Sequence, residues 1–187
     1  MRKIIASTYS TLDGYIDNPH LWSMQYTSEQ VQTYALKLLL SSDALLLGRT
    51  TFEGMAQAWP NMGGNPYADR VNSIPKYVVS STLDKAEGWN NSSVIHGDDL
   101  ATEVAKLKQE PGSNILIWGC GQLTDDLAAH GLLDEYRIWF YPVIKGSGEP
   151  LFRPESSVAI EHLDTTTFES GIVVLTYRPT TATAGQE

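Results

Sequence analysis

Two short apolar runs constrain this chain more than any other feature. Ala44-Leu45-Leu46-Leu47 and Ile115-Leu116-Ile117-Trp118 are continuous rather than alternating, each is closed by a glycine, and each precedes a segment with helical spacing. A strand without a polar face is buried on both sides, the condition of a parallel sheet covered by helices. Parallel neighbours need crossover connections, so strands and helices should alternate.

The chain carries that alternation. Ile4-Ile5-Ala6 opens a strand that gives way to turn chemistry at Ser10-Thr11-Leu12-Asp13-Gly14. Behind Ser28, placed as a cap, Val31, Tyr34, Ala35, Leu38 and Leu39 recur at helical steps until Ser41-Ser42. A short helix starts at Thr50 or Thr51, and strands are expected at Lys76-Tyr77-Val78-Val79-Ser80 and Ser93-Val94-Ile95-His96. Leu100, Val104 and Leu107 stripe a helix over 98–110, which Pro111-Gly112 ends; a further helix covers 122–130 and a strand 136–141. Two last strands, over 158–168 and 172–178, meet at Glu169-Ser170-Gly171, a hairpin signal. Residues 60–74, with Pro60, Gly63, Gly64 and Pro66, read as a long loop, the rim or lid of a site. The expectation is an α/β fold with a mostly parallel sheet and a C-terminal antiparallel hairpin. It forms one domain over 1–178, and the polar tail 179–187 is disordered.

A chain of 187 residues with 42% hydrophobic side chains buries roughly 70% of its unfolded surface, so neither disulfides nor a structural metal is needed. Thirteen basic against 22 acidic residues give a net charge of −9, which disfavours nucleic acid and anionic membrane surfaces as partners. Any phosphate ligand has to be held by local groups. Cys120 is the only cysteine, and the apolar start at Ile4 breaks at Ser7, too early for a signal segment or a membrane span. These features fit a cytoplasmic protein. His20, His96, His130 and His162 show no metal-ligand spacing, and no metal is expected.

Gly48-Arg49-Thr50-Thr51 stands where an apolar strand passes into a helix. Unpaired N–H groups and the helix dipole favour an anion there, and Arg49 adds a charge-assisted bond. A strand stop with a surface arginine and a threonine cap explains the same residues. Gly119-Cys120-Gly121-Gln122-Leu123 repeats the arrangement, with a tight turn as its alternative. The recurrence matters more than either motif, because two such junctions in one parallel sheet share its carboxyl edge, where ligand crevices lie. Ser80, Ser81 and Thr82 add hydroxyls to that edge, either for a phosphate or as turn caps. Asp13 and Tyr15 follow the first strand and face the same crevice unless Asp13 serves an ordinary Asp-Gly turn. Cys120 is a spacer between glycines or a thiol of lowered pKa. Glu29 and Glu53, near two helix starts, are dipole-favoured carboxylates that either reach the cleft or stay solvated.

Taken in order, Leu12-Asp13-Gly14-Tyr15-Ile16, Leu45-Leu46-Leu47-Gly48-Arg49-Thr50-Thr51-Phe52-Glu53, Val78-Val79-Ser80-Ser81-Thr82-Leu83, Ile115-Leu116-Ile117-Trp118-Gly119-Cys120-Gly121 and Leu132-Leu133-Asp134-Glu135-Tyr136-Arg137 resemble the dihydrofolate reductase-like superfamily. The closer resemblance is to its branch of small proteins similar to the RibD C-terminal, riboflavin-biosynthesis reductase domain. Pro142-Val143-Ile144-Lys145-Gly146-Ser147-Gly148-Glu149-Pro150-Leu151-Phe152 also resembles that branch. The resemblance implies a three-layer α/β/α fold with a mixed sheet of about eight strands, an NADPH site on the carboxyl edge, and a homodimer. It assigns Gly48, Arg49 and Thr50 to phosphates, with Arg49, Ser80, Ser81 and Thr82 around the 2′-phosphate. Gly119, Cys120, Gly121, Gln122 and Leu123 are assigned to the pyrophosphate and nicotinamide side, with a cis peptide at Gly119-Cys120.

The departures concern the substrate. Gln32 falls near the pterin-binding acid of the dihydrofolate reductases, with Glu29 one turn earlier; Ser7 and Trp118 stand where the riboflavin-pathway reductases have Lys and Glu. The implied function is NADPH-dependent hydride transfer to a small pterin- or aminouracil-like heterocycle, resembling 5-amino-6-(5-phosphoribosylamino)uracil reductase. A non-catalytic nucleotide- or ligand-binding homologue is the alternative. Asp13 and Glu29 are the candidate catalytic residues, and Tyr15, Trp22 and Trp59 the candidate substrate contacts.

Overall fold

A computed structural model describes residues 1–154 and 156–180. The chain runs β1 (Ile4–Thr11), α1 (Glu29–Leu40), β2 (Ser42–Gly48), α2 (Arg49–Ala56), α3 (Pro66–Ser73), β3 (Lys76–Ser80), β4 (Ser92–His96), α4 (Leu100–Gln109), β5 (Asn114–Trp118), α5 (Gln122–Ala129), β6 (Glu135–Tyr141), β7 (Ile160–Thr167) and β8 (Val173–Pro179). The strands make an eight-stranded mixed sheet in the order β4-β3-β2-β5-β1-β6-β8-β7. Pairing is parallel for β1 with β6, β2 with β3 and β5, and β3 with β4; it is antiparallel for β6 with β8 and β8 with β7. The chain divides into two compact units. One comprises Met1–Ile4 and Tyr34–Trp118, the other Ile5–Thr33 and the described residues from Gly119 onward.

In the first unit β2 lies between β3 and β5, and Leu45, Leu46, Leu47 and Ile115 are fully buried. Burying each such side chain stabilises by about 1.5–3 kcal/mol, which is why the apolar runs accept no polar alternation. α1 stops where the Ser41 and Ser42 hydroxyls donate to the Leu38 carbonyl, at 2.7 and 3.3 Å. Arg2 is buried and donates to the Asp43 carboxylate and the Ser113 carbonyl, tying the chain start to this unit.

The long loop expected over 60–74 contains α3. Asn65 Oδ1 accepts from the Ala68 N–H at 2.9 Å, Pro66 occupies the first turn with its φ already helical, and Ala68 and Val71 are buried. Residues that read as turn formers are here a cap and a helix start. Behind α3, Lys76 is fully buried; its ammonium donates to the carbonyls of Asn72 (2.8 Å) and Asn90 (3.0 Å) and lies 4.7 Å from the centre of the Trp89 ring. Burial lowers its pKa from 10.5 to about 8.

In the second unit the hairpin closes through Gly171, whose φ of 88° suits glycine, with the Phe168 N–H donating to the Ile172 carbonyl at 2.9 Å. β8 buries Val174 and Thr176, whereas β7 is exposed along almost its whole length. β8 runs through Pro179, and the Thr180 N–H donates to the Ala159 carbonyl at 2.8 Å; the rest of the expected tail lies outside the described residues. No helix among the described residues is long and apolar enough to cross a membrane.

The lowered pKa of Lys76 carries a pH dependence with a definite sign. Between pH 8 and 10.5 the unfolded chain keeps a proton on this amine that the folded chain has lost, so stability rises with pH. Relative to Lys76→Met, the wild type should gain up to about 3 kcal/mol across that window in urea denaturation. A pH-independent difference between the two would show that the ammonium is effectively solvated.

Candidate functional site

The parallel pairing of β2 with β3 sets Gly48 opposite Val79, so both strands deliver their ends to the same edge. α2 begins at once with Arg49, and Gly48, as its N-cap, offers no side-chain acceptor to the first-turn N–H groups. Gly48 has φ −71° and ψ 156°, a conformation open to any residue. A Cβ built on it meets nothing within 4 Å. Neither backbone geometry nor packing therefore requires glycine at this position.

Beside Gly48, the Arg49 guanidinium donates from Nη1 to the Thr82 hydroxyl at 2.6 Å and from Nε to Glu53 Oε1 at 2.7 Å. The Ser80 hydroxyl accepts from the N–H groups of Thr82 (3.2 Å) and Leu83 (3.1 Å) and so shapes the turn after β3. Ser80 is buried, while Thr50, Ser81 and Thr82 are exposed. The first unit thus gathers Gly48, Arg49, Ser80 and Thr82 at one edge. Glu53 adds a carboxylate that the sequence left undecided.

In the second unit, the residues before α5 form a turn at Gly119, whose φ of 97° favours glycine. Its N–H donates to the Ser7 carbonyl at 3.0 Å. The Gly121 N–H donates to the Thr124 hydroxyl at 3.0 Å, and that hydroxyl donates back to the Gly121 carbonyl at 2.8 Å. No peptide bond among the described residues is cis. The expected cis Gly119-Cys120 bond is thus corrected: the positive φ of Gly119 makes the turn without the few kcal/mol of a non-proline cis bond. A Cβ at Gly119 or Gly121 meets nothing within 4 Å, so the backbone is open on that side. The half-buried Cys120 thiol is pushed up to about 12, chiefly by burial, which favours the spacer reading over a thiol of lowered pKa. Gln122 is exposed and Leu123 half-buried on the first turn of α5.

Asp13, exposed after β1, is tied on every side. Its carboxylate accepts from the Lys145 N–H at 3.1 Å, the Gly146 N–H at 2.7 Å and the Thr11 hydroxyl at 2.6 Å. These bonds, the Thr11 hydroxyl foremost, lower its pKa to about 2. Asp17 repeats the device on the Lys145 ammonium and the Glu149 N–H, and its pKa also falls to about 2. Asp13 is therefore ionised at neutral pH and holds 11–17 against 143–149. Tyr15 belongs to the same seam, with its N–H donated to the Thr11 hydroxyl at 2.9 Å and an antiparallel bridge to Pro150.

Trp22 points inward. It is 8% exposed, its Nε1 donates to the Asp17 carbonyl at 3.0 Å, and its ring edge meets Tyr141 at 5.3 Å. Glu29 is exposed on the first turn of α1. Trp59 joins a grouping that the sequence did not reveal: it stacks with Trp118 at 5.6 Å between ring centres and meets Tyr67 at a tilt, 5.9 Å away. The available signal was an indole ending the most apolar strand directly before a glycine turn.

Comparison with known proteins agrees with this architecture. The model of the RibD C-terminal domain family matches residues 2–174. The uncharacterized protein YyaP of Bacillus subtilis (strain 168) is 30% identical over 182 residues, which span 94% of each chain. Among solved structures, a proposed riboflavin biosynthesis protein from Shewanella sp. PV-4 superposes with a TM-score of 0.70 at 22% identity, covering 95% of this chain and 99% of that one. Dihydrofolate reductase from Enterococcus faecalis, complexed with NADP(H), superposes with a TM-score of 0.61 at 18% identity, covering 95% and 96%.

The Asp13 clamp has a measurable consequence. Asp13→Ala should abolish hydrogen-exchange protection at the Lys145 and Gly146 amides and leave α4 unchanged. In the wild type, protection that is complete above pH 4 should be lost as the pH falls through about 2. Protection retained in Asp13→Ala would show that the 143–149 segment is held by other contacts.

Proposed function

The chain belongs to the RibD C-terminal domain family, and on that footing we propose that it is an NADPH-dependent reductase acting on a small pterin- or aminouracil-like heterocycle in the cytoplasm. The observation that carries the reading is Gly48: a glycine with ordinary φ, open space where its Cβ would be, and an uncapped helix start beside Arg49. A phosphate fits there, because the backbone N–H groups of α2 face it without an intervening side chain and Arg49 supplies a charge-assisted bond. Gly48, Arg49, Thr50, Ser80, Ser81 and Thr82 are the residues proposed to hold phosphate in the first unit. In the second unit, Gly119, Cys120, Gly121, Gln122 and Leu123 offer an open backbone turn to the same class of ligand. Bound NADPH would supply the hydride.

Of the two candidate carboxylates, Asp13 is kept ionised by its clamp and is assigned a positioning role, which leaves the proton-handling role to Glu29 on the exposed first turn of α1. Tyr15 positions the seam after β1, Trp22 backs it from within, and Trp59 is assigned to the substrate. The homodimer is proposed on β7, the end strand of the sheet, where Ile160 and Leu163 are 40% and 42% exposed.

One observation favours the second reading, a ligand-binding homologue without turnover. The Ser7 hydroxyl, inside β1, accepts from the Trp139 indole at 3.0 Å and serves packing. NADPH oxidation assayed against pterins and aminouracils separates the two readings: turnover reduced in Glu29→Gln supports the reductase, and no turnover with any of them supports the homologue.

Gly48→Ala should leave the thermal midpoint within about two degrees of wild type, as befits a substitution at an open position, and weaken NADPH at least tenfold. Arg49→Ala should weaken NADPH by about 10- to 100-fold, matching roughly 1.5–3 kcal/mol for a charge-assisted bond, and NADH less than threefold. Equal losses for both nucleotides would remove the 2′-phosphate from Arg49.

A further inference from the structure

Arg49 and Glu53 form an ion pair whose order runs against the helix that carries it. Arg49 is the first residue of α2 and Glu53 lies one turn later, with Arg49 Nε donating to Glu53 Oε1 at 2.7 Å. The dipole at a helix start favours anions and disfavours cations, and pairs four residues apart are most stabilising with the acid first. Helix stability therefore does not account for this pair. Its bonding is also divided. In the Arg137–Glu135 and Arg178–Glu161 pairs, Nε and Nη2 of the arginine close on a single carboxylate oxygen. Arg49 instead sends Nε to Glu53 and Nη1 to the Thr82 hydroxyl at 2.6 Å. Among the described residues, no hydrogen bond engages Arg49 Nη2 or Glu53 Oε2. Both side chains are about half exposed, so an open donor and an open acceptor stand side by side next to the turn after β3.

The charges around this pair do not suit a phosphate alone. A phosphate monoester carries about 1.5 to 2 negative charges at neutral pH, and the guanidinium that would meet it is already balanced by Glu53. More acid stands close by. Parallel pairing sets His96, at the end of β4, opposite Ser80. Gly97 follows, packed on the Ser81 hydroxyl so closely that a Cβ there would collide with it. The exposed acids Asp98 and Asp99 thus begin one residue beyond the backbone that touches the 80–82 turn. A dinucleotide without the 2′-phosphate presents a ribose hydroxyl at the same position. In dinucleotide sites a carboxylate accepts from that hydroxyl, as an arginine accommodates the phosphate. Both groups are present here, within hydrogen-bond distance of each other.

We propose that Glu53 is a specificity-determining residue that lets this site take NADH as well as NADPH, an inference that rests on the reductase reading. With NADH, the ion pair stays intact and Glu53 Oε2 accepts from the ribose 2′-hydroxyl. With NADPH, the 2′-phosphate takes the guanidinium, and Glu53 is left as a like charge beside it. Glu53 therefore acts in opposite directions on the two nucleotides. A residue that merely stabilised α2 would move both affinities the same way.

The full chain, Glu53→Ala and Glu53→Gln are titrated with NADH, NADPH and 2′-deoxy-NADH, with binding read from the fluorescence of the reduced nicotinamide. Glu103→Gln, which removes another ion-paired surface acid on α4, controls for net charge. The wild type should prefer NADPH to NADH by less than about tenfold and bind 2′-deoxy-NADH about threefold more weakly than NADH, the size of a half-exposed charged contact. Glu53→Ala should weaken NADH and tighten NADPH, each by about threefold, and should bind NADH and 2′-deoxy-NADH alike. Glu53→Gln, which keeps an acceptor without the charge, should tighten NADPH equally and weaken NADH less. Glu103→Gln should change neither affinity by more than about twofold. Shifts of both nucleotides in one direction, indifference to Glu53→Ala, or a wild-type preference for NADPH above tenfold would overturn the role of Glu53 while leaving the nucleotide site in place. Binding of neither nucleotide would overturn the reductase reading and the inference with it.

Discussion

The parallel pairing of β2 with β3 and β5 is the constraint on which the rest depends. Three strands running the same way end on one edge, and each must leave the sheet there by a turn into a helix or loop. Backbone polar groups cannot be left unpaired in the interior, so the price of the apolar run in β2 is a concentration of polar backbone at its exit. Gly48, Arg49, Ser80 and Thr82 stand together for this reason. The same directionality places the indole of Trp118 at the exit of β5.

The start of α2 differs from those of the other helices. The N–H groups of α3 are capped by Asn65, Ser28 Oγ accepts from the Val31 N–H at the start of α1, and Thr124 closes a reciprocal pair with Gly121 before α5. α4 has no side-chain cap but carries Asp98 and Asp99 just before it, a negative pair that repels anions. α2 combines an uncapped start, a glycine that the fold does not require, and an adjacent guanidinium. Satisfaction by the protein's own groups thus separates α1, α3 and α5 from α2, whose first-turn N–H groups lie uncapped beside a guanidinium.

What the sequence made legible was local. The apolar runs, the helical stripes and the closing hairpin could be read because period and burial are properties of neighbours along the chain. α3 was hidden because Asn65-Pro66 serves equally in a turn and as a cap, and only the burial of Ala68 and Val71 decides between them. The Asp13 clamp was invisible for a different reason: its partners Lys145 and Gly146 lie more than 130 residues away, so its Asp-Gly context suggested either a turn or a cleft carboxylate. Trp59, Tyr67 and Trp118 likewise have unremarkable neighbours in sequence, and their meeting depends on where α3 and the end of β5 lie. The cis peptide expected from resemblance failed on a point of local economy, since a glycine at positive φ makes the turn by itself.

The net charge of −9 opposes a phosphate ligand only over a short reach. At physiological ionic strength charges beyond about 8 Å are largely screened, and several carboxylates are engaged within the fold: Asp43 with Arg2, Asp17 with Lys145, Asp125 with Arg153 and Glu135 with Arg137. At Arg49 the local balance is one guanidinium against Glu53, each about half exposed. Such a surface pair contributes about 0–1 kcal/mol, so giving it up costs little. A phosphate bound as proposed, reaching the N–H groups of α2 as well, would replace Glu53 as the partner of Arg49. Until then the ion pair with Glu53 and the bond to Thr82 hold the arginine in place.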